Sequence, residues 1–280
     1  MAQKEIEIQT EDGMHLRGLD WQPEGQALAA ICLVHGIGEH VGRYAHVVAA
    51  LNRAGFAVVG FDQRGHGRSE GARGFVPSYD VFLEDIHRQI EEMRRLYVGK
   101  PAFLYGHSMG GNLVLYYCLR RRPTLNGVVS TSPQLRMATK PPAWKTTLGR
   151  LMLNVWPSMA MANGLDLQYL SHDPQVAIAY KEDPLVHDRV TPHLGIGLID
   201  SGEWLLQHAA EFRLPLLLVH GSEDRLTSAA ATQEFAALVP GDCTLKIWEG
   251  FYHETHNEPQ KAEVIAFMLD WLKRHLPAKS

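Results

Sequence analysis

Apolar residues follow two different rhythms along the chain. At the start, Ile6 and Ile8 alternate with polar neighbours, Asp12-Gly13 supplies a turn, and Met14, Leu16 and Leu19 follow. That pattern predicts an edge hairpin. Then alternation stops. Ala29-Ala30-Ile31-Cys32-Leu33-Val34 is apolar at every position, as befits a strand buried on both faces of a parallel sheet. Similar runs stand at Phe56-Ala57-Val58-Val59, Ala102-Phe103-Leu104-Tyr105, Val128-Val129 and Leu214-Pro215-Leu216-Leu217-Leu218-Val219, with a shorter one at Thr244-Leu245-Lys246-Ile247-Trp248. Stretches of helical character separate them, over about 44–53, 79–96, 112–121, 229–238 and 259–275. Alternating strand and helix predicts an α/β chain with a mostly parallel, doubly wound sheet and right-handed crossovers.

Between about Pro133 and Arg213 the alternation lapses. Asp-Pro pairs stand at 173–174 and 183–184, and Trp144 to Met161 has helical patterning without a clear buried strand. So long a stretch is not a plain loop. The expectation is a helical cap, residues 134–212, inserted into a core made of 1–133 and 213–280. Trp144, Leu148, Leu151, Val155 and Met159 fall near helical spacing, with Met152, Trp156 and Met161 close by. Pro157 is expected to break that helix. Such a stripe either packs on the core or meets acyl chains and a membrane interface.

At 280 residues with 45% hydrophobic content, the chain fits one large domain carrying an insertion. Lysine and arginine number 27 against 31 acidic residues, a net charge of −4, which gives no electrostatic case for nucleic acid. Cys32, Cys118 and Cys243 are odd in number and scattered, which favours free thiols in a reducing compartment. Met1 to Glu5 lacks the apolar stretch of a secretory signal, and no run is long enough to span a bilayer. A cytoplasmic location follows, with transient membrane contact through the cap. Histidine is abundant, at 15 copies. Yet His253-Glu254-Thr255-His256 lacks the i, i+4 pair of a metalloprotease helix, and no cysteine lies near a histidine pair. Neither metal nor cofactor is expected.

Two segments match G-x-S-x-G: Gly67-Arg68-Ser69-Glu70-Gly71 and Gly106-His107-Ser108-Met109-Gly110. A nucleophile elbow is a sharp strand-to-helix turn. Ser108 directly follows a buried strand and opens the apolar helix Leu113 to Tyr117, whereas Ser69 lies in a charged loop and reads as a turn serine. A serine nucleophile needs a base and an orienting carboxylate, in the chain order Ser, acid, His. Asp224 follows the strand ending at Val219, and His253 follows the last short strand. Glu223 is the rival acid, also readable as an exposed loop charge, and His256 is the rival base. His107 reads as packed beneath the turn. The oxyanion needs backbone donors; Met109 N–H is one, and Ile37 N–H, in Gly36-Ile37-Gly38, is the chosen second.

Taken together these residues resemble the α/β-hydrolases, in particular the monoacylglycerol lipase and lysophospholipase-like branch. The resemblance rests on His35-Gly36-Ile37-Gly38-Glu39-His40-x-Gly42-Arg43-Tyr44, Asp62-x-Arg64-Gly65-His66-Gly67-x-Ser69, the 106–111 elbow, Gly221-x-x-Asp224-Arg225, His253-x-x-His256 and Tyr180-x-x-Asp183-Pro184-Leu185. It implies an α/β-hydrolase fold and a lipid ester substrate. It also implies that Glu39, Arg43 and His256 line a polar pocket for glycerol, with Tyr180 on the substrate side; the alternative for Glu39 and Arg43 is a surface ion pair at i, i+4. Thr227 stands where mammalian members carry a cysteine, so their thiol sensitivity is not expected here. The implied activity is hydrolysis of monoacylglycerols to fatty acid and glycerol. Lysophospholipase, broad carboxylesterase and a non-catalytic ligand-binding protein on the same scaffold are the alternatives.

Overall fold

The computed structural model describes residues 2–140 and 142–278; Met1, named above, lies outside them. The opening hairpin is β1 (Ala2–Gln9) and β2 (His15–Gln22), paired antiparallel across the Asp12-Gly13 turn. The unbroken apolar runs form β3 (Ala29–Val34), β4 (Phe56–Phe61), β5 (Ala102–His107) and β6 (Gly127–Thr131), each buried throughout. The inserted segment contributes only the two-residue strands β7 (Met161–Ala162) and β8 (Arg189–Val190), before β9 (Leu216–Gly221) and β10 (Cys243–Trp248) complete the sheet. The strand order is β1-β2-β4-β3-β5-β6-β9-β10. β2 meets β4 antiparallel, and from β4 to β10 every pairing is parallel. Among the boundaries that move, β9 starts at Leu216 rather than Leu214, because Pro215 has no N–H to give a ladder, although its carbonyl still accepts Val128 N–H at 2.9 Å.

Successive strand residues feed opposite layers, as the period of two requires. Ala30, Cys32, Val34, Leu104 and Leu218 pack on one face, against α2 (Val81–Leu96), α3 (Met109–Arg121), α6 (Pro192–His208) and α7 (Ala229–Leu238). Ile31, Leu33, Phe103, Tyr105 and Val219 pack on the other, against α1 (Ala45–Arg53) and α8 (Lys261–Arg274), whose Trp271 is fully buried. Helices on both faces leave one place for a site: the carboxyl ends of the parallel strands.

Residues 132–215 leave the sheet and return to it over those ends. They carry α4 (Ala143–Val155), α5 (Pro174–Glu182) and α6. α4 stops before Trp156-Pro157, so Met159 and Met161 fall outside the helix. α6 packs on α3 and α4 packs on α6. Loops of the segment are pinned to the core by backbone bonds, among them His187 N–H to Gly38 O, 2.8 Å, and Glu254 N–H to Leu170 O, 2.7 Å. Among the described residues no helix is long and apolar enough to cross a membrane.

Candidate active site

β5 runs into α3 through a single residue, Ser108, held at φ 56°, ψ −116°. This is a backbone conformation that side chains adopt only under constraint. The constraint is packing. A Cβ on Gly106 would sit 2.2 Å from Gly110 O, and one on Gly110 would sit 2.1 Å from Val34 O. Only hydrogen fits at either place, so the turn closes tightly and α3 starts at Met109, three residues ahead of the expected start.

Beside Ser108 lies a chain of buried hydrogen bonds. Ser108 Oγ–H donates to His253 Nε2 at 2.9 Å, and His253 Nδ1–H donates to Asp224 Oδ2 at 2.7 Å. The orientation follows from charge, since Asp224 can only accept. The other Asp224 oxygen takes Leu226 N–H at 2.7 Å and Thr227 N–H at 3.0 Å, and Thr227 Oγ1–H adds a bond to Oδ2 at 2.8 Å. Burial works against ionisation of Asp224, but His253 and His220 hold its carboxyl well below the usual range. Burial also works against charging His253, and here Asp224 wins, so the imidazole is a stronger base than a free one. Glu223 is exposed and takes no part.

Gly36 N–H is taken by Glu39 Oε1 at 2.6 Å. Ile37 N–H and Met109 N–H donate to no protein acceptor among the described residues, and Met109 opens α3, where the helix dipole is positive. Tyr180 OH reaches the Ile37 carbonyl at 3.4 Å, and its ring lies 4.7 Å from the Arg43 guanidinium.

Glu39 and Arg43 are not the surface pair that their spacing allows. Glu39 is 3% exposed, and Arg43 bonds it at 2.5 Å while clasping Glu254 with two bonds of 2.8 and 2.9 Å. Tyr44 OH donates to Glu39 Oε1 at 2.7 Å, and Asn257 Nδ2 to Glu254 Oε2 at 2.6 Å. Burial opposes the charge on Glu254, but Arg43 more than offsets it and holds the carboxyl well below its ordinary range. His256 is buried, with its ring stacked 5.1 Å from Tyr44. His107 bonds Thr131 Oγ1 at 3.1 Å, 4.8 Å from the rings of both His253 and His256. Burial keeps both neutral, His107 being pushed down to about 3. The space left at Ser108 is about 20 Å³, lined among others by His253, Glu39, Glu254, Leu165, Leu170 and Tyr180. It has room for about one water molecule. Leu165, Leu170 and Tyr180 in that lining come from the inserted segment.

Three further residues that hold the site were not singled out from the sequence. Glu254 was noted only as part of a failed metal pattern, though its place between two candidate histidines was a usable sign. His220 Nε2 donates to Asp224 Oδ2 at 3.1 Å, and Ser132 Oγ to His253 O at 2.6 Å; nothing in their spacing marks them.

Residues 25–260 match the family model described as Hydrolase_4, serine aminopeptidase, S33. The chain is 38% identical over 261 residues, 91% of its length, to an uncharacterized abhydrolase domain-containing protein of Dictyostelium discoideum, of which it spans only 27%. It is 33% identical over 258 residues to a monoacylglycerol lipase of Mycolicibacterium smegmatis, covering 91% of this chain and 92% of that protein. Among solved structures, a monoacylglycerol lipase of Paleococcus ferrophilus superposes with a TM-score of 0.86 at 34% identity, over 93% of this chain and 99% of the other.

Proposed function

This chain belongs to the Hydrolase_4 family of α/β-hydrolases, and from that premise we propose that it is a serine hydrolase cleaving monoacylglycerols to fatty acid and glycerol. The observation that carries the reading is the unbroken line Ser108–His253–Asp224 at a strained elbow. The two monoacylglycerol lipases just described supply the substrate class.

In this reading Ser108 Oγ bonds to the ester carbonyl carbon as its proton passes to His253 Nε2. Asp224 holds the imidazolium, and the oxyanion meets Ile37 N–H and Met109 N–H. Collapse breaks the bond to the alcohol oxygen, which leaves with the proton from His253. Water then repeats the sequence on the acyl-enzyme, yielding fatty acid and free Ser108. Glu39 and Tyr180 border the alcohol side, with Arg43 bonded to Glu39 and His256 stacked on Tyr44 beside them. Residues 134–212 act as a cap on a core formed by 1–133 and 213–280.

The α4 stripe supports contact with lipid. Trp144, Leu148, Leu151, Val155 and Trp156 are 45–69% exposed, which argues against the alternative that they pack on the core. A cytoplasmic enzyme touching a membrane surface through this face fits that exposure. The test of the function is direct: fatty-acid release from 1-monooleoylglycerol should exceed that from lysophosphatidylcholine, and a fluorophosphonate should label Ser108. Preference for lysophosphatidylcholine would move the assignment to a lysophospholipase. Absence of labelling in a folded protein would favour a non-catalytic binding protein.

A further inference from the structure

Charge around Ser108 does not balance. Glu39 and Glu254 share one guanidinium, Arg43, and Asp224 adds a third carboxylate when His253 is in its attacking, neutral form. Neither His107 nor His256 compensates, since burial keeps both uncharged. Placement adds to the imbalance. Glu39 and Glu254 both line the space at Ser108, and Arg43 does not. A methyl placed on Gly36 would lie 2.8 Å from Glu39 Oε1 and 3.3 Å from Ser108 Cβ, so those two atoms are at most about 6 Å apart.

The hydrogen bonds point the same way. A carboxylate can accept about four. Glu39 receives Gly36 N–H, Tyr44 OH and Arg43 Nη1, and Glu254 receives Arg43 Nη1, Arg43 Nη2 and Asn257 Nδ2. Each carboxylate therefore keeps one acceptor position, and neither has a proton to offer. A wall of this kind satisfies hydroxyls and attracts cations. An anion meets repulsion in a buried setting where screening is weak.

We propose that the alcohol side of this site selects esters by charge, taking neutral polyol and cationic aminoalcohol esters and rejecting those with a phosphate beside the ester. The proposal rests on the ester-hydrolase reading above and adds acylcholine-type esters to its substrates. The leaving group departs protonated by His253, as for glycerol, so the chemistry is unchanged.

The test uses the full chain with octanoyl esters of glycerol, choline and sn-glycerol 3-phosphate. Each kcat/KM is divided by the ester's own rate with hydroxide. One unit charge at about 6 Å is worth on the order of 100-fold in a partly screened site. The choline-to-phosphate ratio should therefore be about 100 or more. Glu254→Gln removes one charge while keeping the shape, and should shrink that ratio about ten-fold or more; Glu39→Gln serves the same purpose should the first variant fail to fold. A ratio near one in the native enzyme, or a ratio unmoved by both folded variants, overturns the charge selection while cleavage of the glycerol ester leaves the hydrolase reading intact. Loss of glycerol-ester cleavage with the ratio preserved does the reverse. Cleavage of none of the three overturns both.

Discussion

Ser69 and Ser108 stand in the same five-residue pattern, Gly-x-Ser-x-Gly, and do opposite work. Ser108 is pushed out of the sheet at φ 56° with its hydroxyl toward His253. Ser69 is turned inward: its hydroxyl donates to Asp62 O at 2.5 Å and accepts Arg17 N–H at 2.8 Å. The loop around Ser69 is a brace. Asp62 takes Val41 N–H at 2.9 Å and Arg68 N–H at 2.8 Å, and Gly65 O takes His187 Nε2–H at 3.0 Å. It thereby supports both the segment after the Ile37 turn and the insertion above it. What separates the two serines is what flanks them. A buried strand runs into Ser108 and a helix runs out, whereas no helix follows Ser69.

The strongest way to break this comparison is to remove both hydroxyls in turn. Ser108→Ala should abolish ester turnover with an unchanged melting temperature, while Ser69→Ala keeps turnover; equal losses of kcat in folded variants would dismiss the elbow. Next in size, Asp224→Asn should lower kcat about 10³–10⁴-fold by favouring the wrong imidazole tautomer. Glu223→Gln, altering an exposed carboxylate, should change kcat little, and the reverse ranking would reassign the acid. The pH profile sharpens the Ser108 side further. Attack needs neutral His253, whose pKa Asp224 raises above the ordinary imidazole value against the effect of burial. kcat/KM should therefore fall as pH drops through a value above that of a free imidazole, and Asp224→Asn should move that limb to lower pH. On the Ser69 side the expected change is in stability alone. Loss of its two buried bonds should cost about 1–3 kcal/mol, read by denaturant unfolding. The smallest effect belongs to α4: Leu148→Ser with Leu151→Ser should leave cleavage of a short soluble ester unaltered and reduce vesicle binding in a sedimentation assay.

Elements buried on every side were the easiest to read. β3 was bounded to the residue, whereas β4, β5 and β6 run on to Phe61, His107 and Thr131, past Gly60, Gly106 and Ser130, which end the apolar runs in the sequence. The triad was legible for a related reason: each member follows a strand at a fixed place in the alternation. The polar cluster was legible only through the resemblance, and without Glu254. Arg43 and Glu254 are 211 positions apart, and no local period links them. The i, i+4 spacing of Glu39 and Arg43 was visible, but burial comes from Tyr180 and Leu170, which arrive from the insertion. The α4 stripe shows the same limit. Periodicity finds an apolar face and cannot say what stands opposite it.

The chamber at Ser108, with room for about one water molecule, also sets the terms of a competition between acyl acceptors. An acyl group on Ser108 exceeds that room, so Leu165, Leu170 and Tyr180, which line it, must shift to admit the acyl group and then its acceptor. Glycerol can take it back only while those side chains are withdrawn. The proportion of acyl-enzyme that ends as free acid rather than as re-formed ester, at a fixed glycerol concentration, thus reports how far the insertion yields beside a bound acyl group. Substitutions that loosen it should show themselves as a change of product before they show as a change of rate.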